Sequence, residues 1–196
     1  MRPESAARRI TDAVVRRPWL WRIFRGRVQK LFDALAPGWE TRIGPHHLLA
    51  LEQAVAGLEP KNVLDVGTGT GKAAIALAAW FPDASVVGVD LSAAMVDEAR
   101  KHVSGRPRFE VADASRVPFP DASFDLVVLM NAIPFFGELA RVTAPGGVVV
   151  NSYSRGDETP IYVSDERLQR ELGRRGFTDF ASFTVPPASA FRARKR

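Results

Sequence analysis

Cysteine is absent from the 196 residues of this chain, and histidine (three) and tyrosine (two) are scarce. The lack of cysteine excludes disulfide bonds, thiolate zinc sites and cysteine nucleophiles. It suits a reducing compartment, so we expect a cytoplasmic protein. No apolar run approaches the roughly 20 residues that a membrane-spanning helix needs, and the N-terminus lacks the apolar core of a secretory signal.

Positive charge is not spread along the chain. Residues 1–30 hold nine basic and two acidic side chains, a net +7, and four of the last five residues are basic. Residues 31–191 hold 14 basic and 20 acidic side chains, a net −6, within an overall charge of +5. The basic excess therefore belongs to the two ends, and nucleic acid is not the partner we expect for the acidic body.

The first 60 residues predict a helical arm. Apolar side chains that recur every three or four residues form one predicted stripe, made of Trp21, Phe24, Val28, Leu31 and Leu35. A second helix is predicted from His47 to Val55. The basic arm is open to three interpretations: a solvated helix face, contact with an anionic membrane surface through Trp19 and Trp21, or nucleic-acid binding.

From Lys61 onward, short apolar strands alternate with helices. The predicted strands cover 62–66, 85–89, 108–112, 124–130 and 148–152, and 177–185 with 189–193 predict a closing strand pair. The predicted helices cover 72–81, 92–102, 137–143 and 164–175, the second of them capped by Ser92. This alternation implies an α/β fold, in which a largely parallel sheet carries helices on both faces.

A glycine turn at 67–71 follows the first strand and opens a helix. A phosphate-binding loop requires G-x-x-x-x-G-K-[ST], but Val66 stands at the first glycine and Ala73 at the hydroxyl position. The dinucleotide pattern G-x-G-x-x-G fits loosely, because Lys72 replaces the third glycine, although Asp90 follows at a suitable distance for a ribose. Neither pattern explains Asp65 inside the strand.

The segment V-L-D-V-G-T-G-T-G at 63–71 resembles motif I of the class I S-adenosylmethionine (SAM) methyltransferases. Later segments resemble the same family in the same order: V-V-G-V-D-L-S at 86–92, V-A-D-A at 111–114, F-D-L-V-V at 124–128 and E-L-A-R-V-T-A-P-G-G at 138–147. The resemblance covers residues 61–196 as the SAM-binding domain, with 1–60 as a lid on one structural unit. It implies a Rossmann-like, doubly wound sheet of seven mostly parallel strands with an antiparallel closing strand.

The resemblance also assigns cofactor contacts. Asp65 is expected at the zwitterionic methionyl end of SAM, Asp90 at the ribose hydroxyls and Asp113 at the exocyclic amine of adenine, with Leu91 and Met95 as an apolar seat for the ring. The remaining expected cofactor residues are Gly67, Thr68, Gly69, Gly71, Ala114 and Asn131. The residues alone leave alternatives open: Asp90 as a helix cap, Met95 as core and Asp113 as a turn residue.

The segment F-D-A-L-A-P-G-W-E at 32–40 resembles the F-D-x-x-A-x-x-Y lid of small-molecule methyltransferases of the quinone-biosynthesis type, with Trp39 at the aromatic position. Trp39, His47 and Phe135 are expected at the substrate or lid, although Phe135 is equally consistent with the core. No catalytic residue and no metal are predicted, because methyl transfer from a sulfonium needs alignment more than a protein acid or base.

The function that the resemblance implies is in-line transfer of a methyl group from SAM to a small molecule. Two alternatives stay open: a non-catalytic SAM-binding protein of the same fold, and an RNA methyltransferase that uses the basic arm. The acceptor atom and the oligomeric state are not specified by the sequence.

Overall fold

The computed structural model describes residues 3–42, 44 and 46–196, with the backbone alone for 3–5, 41 and 42. The helices of these residues are α1 (Pro3–Arg16), α2 (Trp21–Leu35), α3 (Leu49–Val55), α4 (Lys72–Trp80), α5 (Ala93–Lys101), α6 (Phe136–Val142) and α7 (Asp165–Gly173). The strands are β1 (Asn62–Val66), β2 (Ser85–Asp90), β3 (Arg108–Val111), β4 (Phe124–Met130), β5 (Thr143–Tyr153), β6 (Phe177–Val185) and β7 (Ala188–Lys195). None of these helices is long and apolar enough to cross a membrane.

The seven strands form one sheet in the order β3-β2-β1-β4-β5-β7-β6. Strands β1 to β5 pair in parallel, whereas β7 runs antiparallel to both β5 and β6. The α/β class, the seven strands and the antiparallel closing strand are therefore confirmed. The strand order reverses direction between β1 and β4, so the carboxyl ends of these two strands flank the crevice where open α/β sheets bind ligands.

Successive side chains of a strand point to opposite sides of the sheet. In the central strands the side chains on both sides are buried, because helices cover both faces. Val63 contributes to the core under α3, α4 and α5, and its neighbour Leu64 contributes to the core under α6 and α7. The Ala-rich sequence of α4 lets that helix lie close to the sheet, with Ala73, Ala74 and Leu77 buried.

Helix α2 lies across the carboxyl ends of the strands, and its apolar face differs from the predicted stripe. Trp21, Phe24 and Val28 join a cluster with residues that follow the strands, as predicted, but Leu31 is 55% exposed. Phe32 instead faces inward, and its ring packs edge-to-face on Trp39 with centroids 5.6 Å apart. The prediction for Leu31 is wrong because the buried face is rotated by one residue at this end of the helix.

The strand-to-helix boundaries follow local chemistry. Ser92 caps α5 by accepting a hydrogen bond of 3.1 Å from the backbone N–H of Met95, which confirms the predicted cap. Strand β5 begins at Thr143, where a helix end was predicted, because Thr143 already pairs with Phe124 across an irregularity in the ladder.

Candidate cofactor and active site

The glycine turn folds tightly against the end of β2. The backbone N–H groups of Gly67 and Thr68 both donate to the carbonyl of Val89, at 2.8 and 2.9 Å. Gly67, Gly69 and Gly71 have φ values of +72°, +54° and +86°, which side chains other than glycine rarely adopt. A Cβ on Gly67 would lie 2.7 Å from Ala132 Cβ, so the turn also needs glycine for the close approach of the segment after β4.

Asp65 is a fully buried carboxylate at this turn. Its Oδ2 accepts a hydrogen bond of 2.6 Å from Thr68 Oγ1, whereas its Oδ1 is buried and accepts no well-aligned hydrogen bond within the part of the chain that the structure describes. Burial raises the pKa of Asp65 to about 7, although the Thr68 bond lowers it; the charge of Asp90 raises it further, and the backbone N–H of Ala74 lowers it. An unpaired buried carboxylate oxygen is costly, and a cationic donor would relieve that cost.

Asp90 ends β2 on the other side of the turn. Its Oδ2 accepts from the backbone N–H of Gly69 and its Oδ1 from that of Ser92, each at 2.9 Å. Burial raises the pKa of Asp90, although backbone bonds from Ser92, Gly69 and Leu91 lower it. A carboxylate has about four acceptor positions, so these bonds leave capacity for a hydroxyl donor. The helix cap is Ser92, and Asp90 instead joins the glycine turn to the start of α5.

Asp113 follows β3 and is held by the arm. Its Oδ1 accepts hydrogen bonds of 2.8 Å from both the indole N–H of Trp21 and the backbone N–H of Ser115. Its Oδ2 lies 3.5 Å from the Arg25 guanidinium. The Ser115 bond shows that Asp113 stabilises a turn, which was the alternative interpretation of this residue. The Trp21 bond is a further contact, which a turn residue alone would not make. Leu91 and Ala114, the neighbours expected at adenine, pack against the same arm cluster.

The short 3-10 helix Trp39–Arg42 lies over the glycine turn, where the lid was expected. Trp39 Nε1 is 3.7 Å from the position that a Cβ of Gly69 would occupy. Glu40 bonds the Thr70 hydroxyl and forms an ion pair with Lys72 at an N–O distance of 2.8 Å. Burial raises the pKa of Glu40, but the bonds from Lys72 and Thr70 outweigh it, and the pKa is lowered.

Two predicted site residues have polar partners of their own. The Asn131 amide, just after β4, donates to Ser154 Oγ at 3.0 Å and accepts from the Ser154 backbone N–H at 2.9 Å. Asn131 has a φ of +51°, a conformation that asparagine tolerates. His47 places Nδ1 at 2.5 Å from the Gly44 carbonyl, and its buried Nε2 has no partner among the residues whose placement is described. Burial lowers the pKa of His47.

Met95 and Phe135 are the most buried of the predicted apolar contacts. Met95 is 1% exposed, which agrees with the alternative interpretation that it is a core residue. Phe135 is 6% exposed and packs edge-to-face on Trp21, with centroids 5.5 Å apart. Part of Phe135 also lines a cavity of about 680 Å³ between the arm, α6 and α7. Its role at a substrate stays a prediction.

Sequence patterns missed the arm residues that reach the strand ends. Trp21 and Arg25 contact Asp113, Asp33 accepts from the Ser92 hydroxyl, and Glu40 contacts the glycine turn. Trp21 was visible as a member of an apolar stripe and as a membrane contact beside Trp19, and the membrane contact is wrong for Trp21 because its side chain is buried. The resemblance at 32–40 placed Asp33 and Glu40 in a lid segment but assigned neither of them a contact. Among the described residues, no group of three or more metal-ligating side chains lies close enough to hold a metal ion.

Comparisons with known proteins agree with this geometry. Residues 63–147 match the family described as a methyltransferase domain. A demethylmenaquinone methyltransferase from Roseiflexus castenholzii is 31% identical over 184 residues, which cover 83% of this chain and 77% of that protein. One from Thermus thermophilus is 43% identical over 112 residues, which cover 52% of this chain and 49% of that protein. The chain thus spans about half the length of the Thermus relative.

A solved structure shares the fold at low sequence identity. Phosphoethanolamine N-methyltransferase 2 from Haemonchus contortus, in complex with SAM, superposes with a TM-score of 0.68 at 19% identity. The match covers 83% of this chain and 57% of that chain. The seven-stranded sheet with its glycine turn and strand-end carboxylates is the class I methyltransferase architecture. The chain belongs to the class I SAM-dependent methyltransferases, whose cofactor is SAM.

The residues at the strand ends fit this cofactor. Among residues 3–42, 44 and 46–196, no donor forms a well-aligned hydrogen bond with the buried Asp65 Oδ1, so this oxygen can accept one from an α-ammonium group. The positive-φ glycines leave the turn without side chains where a ligand would approach. Asp90 and Asp113 follow the next two strands along the sheet, so the three carboxylates succeed one another across β1, β2 and β3.

Proposed function

We propose that this protein transfers the methyl group of SAM to a small-molecule acceptor, and that the acceptor is a demethylated quinone. The observation that carries the proposal is the buried Oδ1 of Asp65 beside the glycine turn, which accepts no well-aligned hydrogen bond from the described residues. The names of the demethylmenaquinone methyltransferase relatives support the acceptor class.

Three carboxylates would orient the cofactor. Asp65 would bind the α-ammonium group through Oδ1, Asp90 the ribose hydroxyls and Asp113 the exocyclic amine of adenine. SAM, when bound, supplies a methyl group on a positively charged sulfur. Holding that group in line with an acceptor can contribute several kcal/mol of rate enhancement, roughly 7–11 in favourable cases, without a protein acid or base. We therefore assign no catalytic residue.

The arm of residues 1–60 would act as a lid on the domain of residues 61–196. Trp39 and Glu40 lie over the turn after β1, Asp33 contacts Ser92 after β2, and Trp21 contacts Asp113 after β3. A helix laid along three successive strand ends would exclude water from a bound cofactor and thereby strengthen the electrostatic contacts beneath it. Such a lid must open to admit the cofactor.

The outer face of the arm supports a contact with an anionic membrane surface, where an apolar quinone would reside. Trp19, Ile23 and Leu31 are 61%, 62% and 55% exposed. Exposed basic side chains surround them: Arg16, Arg17, Arg22, Arg27 and Lys30. Apolar side chains among cations favour the interface of an anionic bilayer. The compartment that we propose is the cytoplasm, in keeping with the absence of cysteine.

Sedimentation with phospholipid vesicles tests the membrane contact. The protein should sediment with vesicles that contain an anionic lipid and stay in solution with neutral vesicles. Ile23→Ser should weaken the sedimentation, whereas Val111→Ser, at an exposed position outside the arm, should leave it unchanged. Equal sedimentation with neutral and anionic vesicles would contradict the contact.

Transfer of a radiolabelled methyl group tests the activity. The protein, SAM labelled on its methyl group and a demethylmenaquinone are incubated, and label is measured in the extracted quinone. Label should enter the quinone, and Asp90→Ala should reduce the transfer. Label that enters added RNA instead would favour the RNA alternative, and cofactor binding with no transfer to either would favour a non-catalytic protein.

A further inference from the structure

We propose that Trp21 is a positioning residue that makes the site selective for adenine, by fixing the Asp113 carboxylate so that its Oδ2 faces the exocyclic amine. The inference rests on the proposed function, since it takes the adenine of SAM as the ligand. It concerns a contact between residues 92 positions apart, which joins the arm to the end of β3.

The two oxygens of Asp113 are used unequally. Oδ1 accepts from Trp21 Nε1 and from the Ser115 backbone N–H, each at 2.8 Å, and these two bonds fill its two lone-pair positions. Within the described residues, the contact of Oδ2 is with the Arg25 guanidinium at 3.5 Å, which is longer than a good hydrogen bond. Oδ2 is therefore the oxygen left for a ligand donor.

Trp21 is held firmly enough to orient this carboxylate. Its side chain is 6% exposed, and its ring packs edge-to-face on Phe135 at 5.5 Å. Leu91 and Ala114, which follow β2 and Asp113 respectively, pack against the same cluster. The indole N–H is a donor only, so the atom that it bonds must be an acceptor. Trp21 thus fixes Oδ1 as the inward oxygen and turns Oδ2 outward.

This orientation has a consequence for base selection. An ionised carboxylate accepts hydrogen bonds and donates none, so Oδ2 favours a purine with an amine at the facing position. A purine with a carbonyl oxygen there would place two acceptors against each other. Sites built to bond one group reject an analogue that leaves the partner unpaired.

The test is calorimetric titration with two ligands, S-adenosylhomocysteine and S-inosylhomocysteine, in which a carbonyl oxygen replaces the amine. Trp21→Phe keeps an aromatic ring against Phe135 and removes the N–H. This variant should lower the affinity for S-adenosylhomocysteine about fivefold to tenfold, which is the effect of about one hydrogen bond. The affinity for S-inosylhomocysteine should stay nearly unchanged. Trp19→Phe is the matched control, because Trp19 is exposed and should alter neither affinity.

Asp113→Asn gives a second result that does not depend on the folding of the Trp21 variant. Trp21 and Ser115 would still bond the inward oxygen, so the asparagine amide would present its NH₂ group where Oδ2 lies. This variant should reverse the preference and bind S-inosylhomocysteine more tightly. In the double variant with Trp21→Phe, the reversal should shrink, because the amide is no longer oriented.

Three results are distinguishable. An unchanged ratio of the two affinities in Trp21→Phe, or loss of affinity for both ligands equally, would overturn the positioning role. An Asp113→Asn variant that keeps preferring the adenosyl ligand would also overturn it. If the unaltered protein binds neither ligand, the proposed function itself fails.

Discussion

Asp65 titrates near neutral pH, so cofactor binding should be linked to proton release. Its pKa is raised to about 7 by burial, with the bond from Thr68 acting in the opposite direction. At pH 7 about half of the unliganded molecules would carry a proton on Asp65. An α-ammonium group bonded to Oδ1 favours the ionised form, so binding of S-adenosylhomocysteine should release about half a proton at that pH.

The number of protons released on binding should decrease as pH rises. It should approach one proton at pH about 6, where Asp65 is mostly protonated before binding, and fall toward zero at pH about 8. The affinity should accordingly rise with pH across this range. Asp65→Asn should abolish the proton release. It should also lower the affinity for S-adenosylhomocysteine by tenfold or more, because a charge-assisted hydrogen bond contributes about 1.5–3 kcal/mol.

Isothermal titration calorimetry in buffers of different ionisation enthalpy measures the protons released. 5′-Methylthioadenosine, which lacks the amino-acid part of the cofactor, serves as the control ligand. Its affinity should be insensitive to Asp65→Asn. The reasoning would be refuted by equal proton release in Asp65→Asn and the unaltered protein, or by an equal loss of affinity for the two ligands.

Three further predictions concern stability and the lid. Because the pKa of Asp65 is about 7 when folded and near 3.8 when unfolded, its contribution to the free energy of unfolding is present below pH about 4 and lost as pH rises to about 7. Urea unfolding should show this loss, up to about 4 kcal/mol, in the unaltered protein relative to Asp65→Asn, and parallel pH profiles would contradict it. Arg141 bonds Glu138, Asp121 and two backbone carbonyls, so Arg141→Met should lower stability by about 2–4 kcal/mol without changing cofactor affinity; an unchanged melting temperature would contradict that role. Glu40→Gln breaks a half-exposed ion pair to Lys72, so stopped-flow release of S-adenosylhomocysteine should accelerate by about fivefold at most, and an effect that persists in high salt would contradict an ion-pair origin.

Much of the sheet could be predicted from the sequence. Strands such as 124–130 are buried on both faces and have nearly continuous apolar sequences, and glycines at positive φ separate strand from helix. The seven mostly parallel strands and the antiparallel closing strand came from the resemblance and are confirmed, whereas the order of the strands was not predicted. The start of β5 was missed because its first residues pair with β4 through a proline- and glycine-containing segment that has no strand pattern.

The arm was less predictable, because its contacts are set by tertiary packing. The rotation that turns Phe32 inward and exposes Leu31 depends on where Trp39 lies, which helical periodicity does not specify. The same applies to Trp21: an indole N–H and its acceptor Asp113 carry no shared local signal. Motif residues at the strand ends and Trp39 in the arm were predicted, whereas the contacts of Trp21 and Arg25 with Asp113 were not.

A crystal structure with S-adenosylhomocysteine bound tests the central claim most directly. The α-ammonium group should lie at hydrogen-bond distance from Asp65 Oδ1, the ribose hydroxyls from Asp90, and the exocyclic amine from Asp113 Oδ2. The claim would be contradicted by a ligand bound elsewhere, or by a ligand in the cleft whose ammonium group leaves Asp65 Oδ1 unpaired.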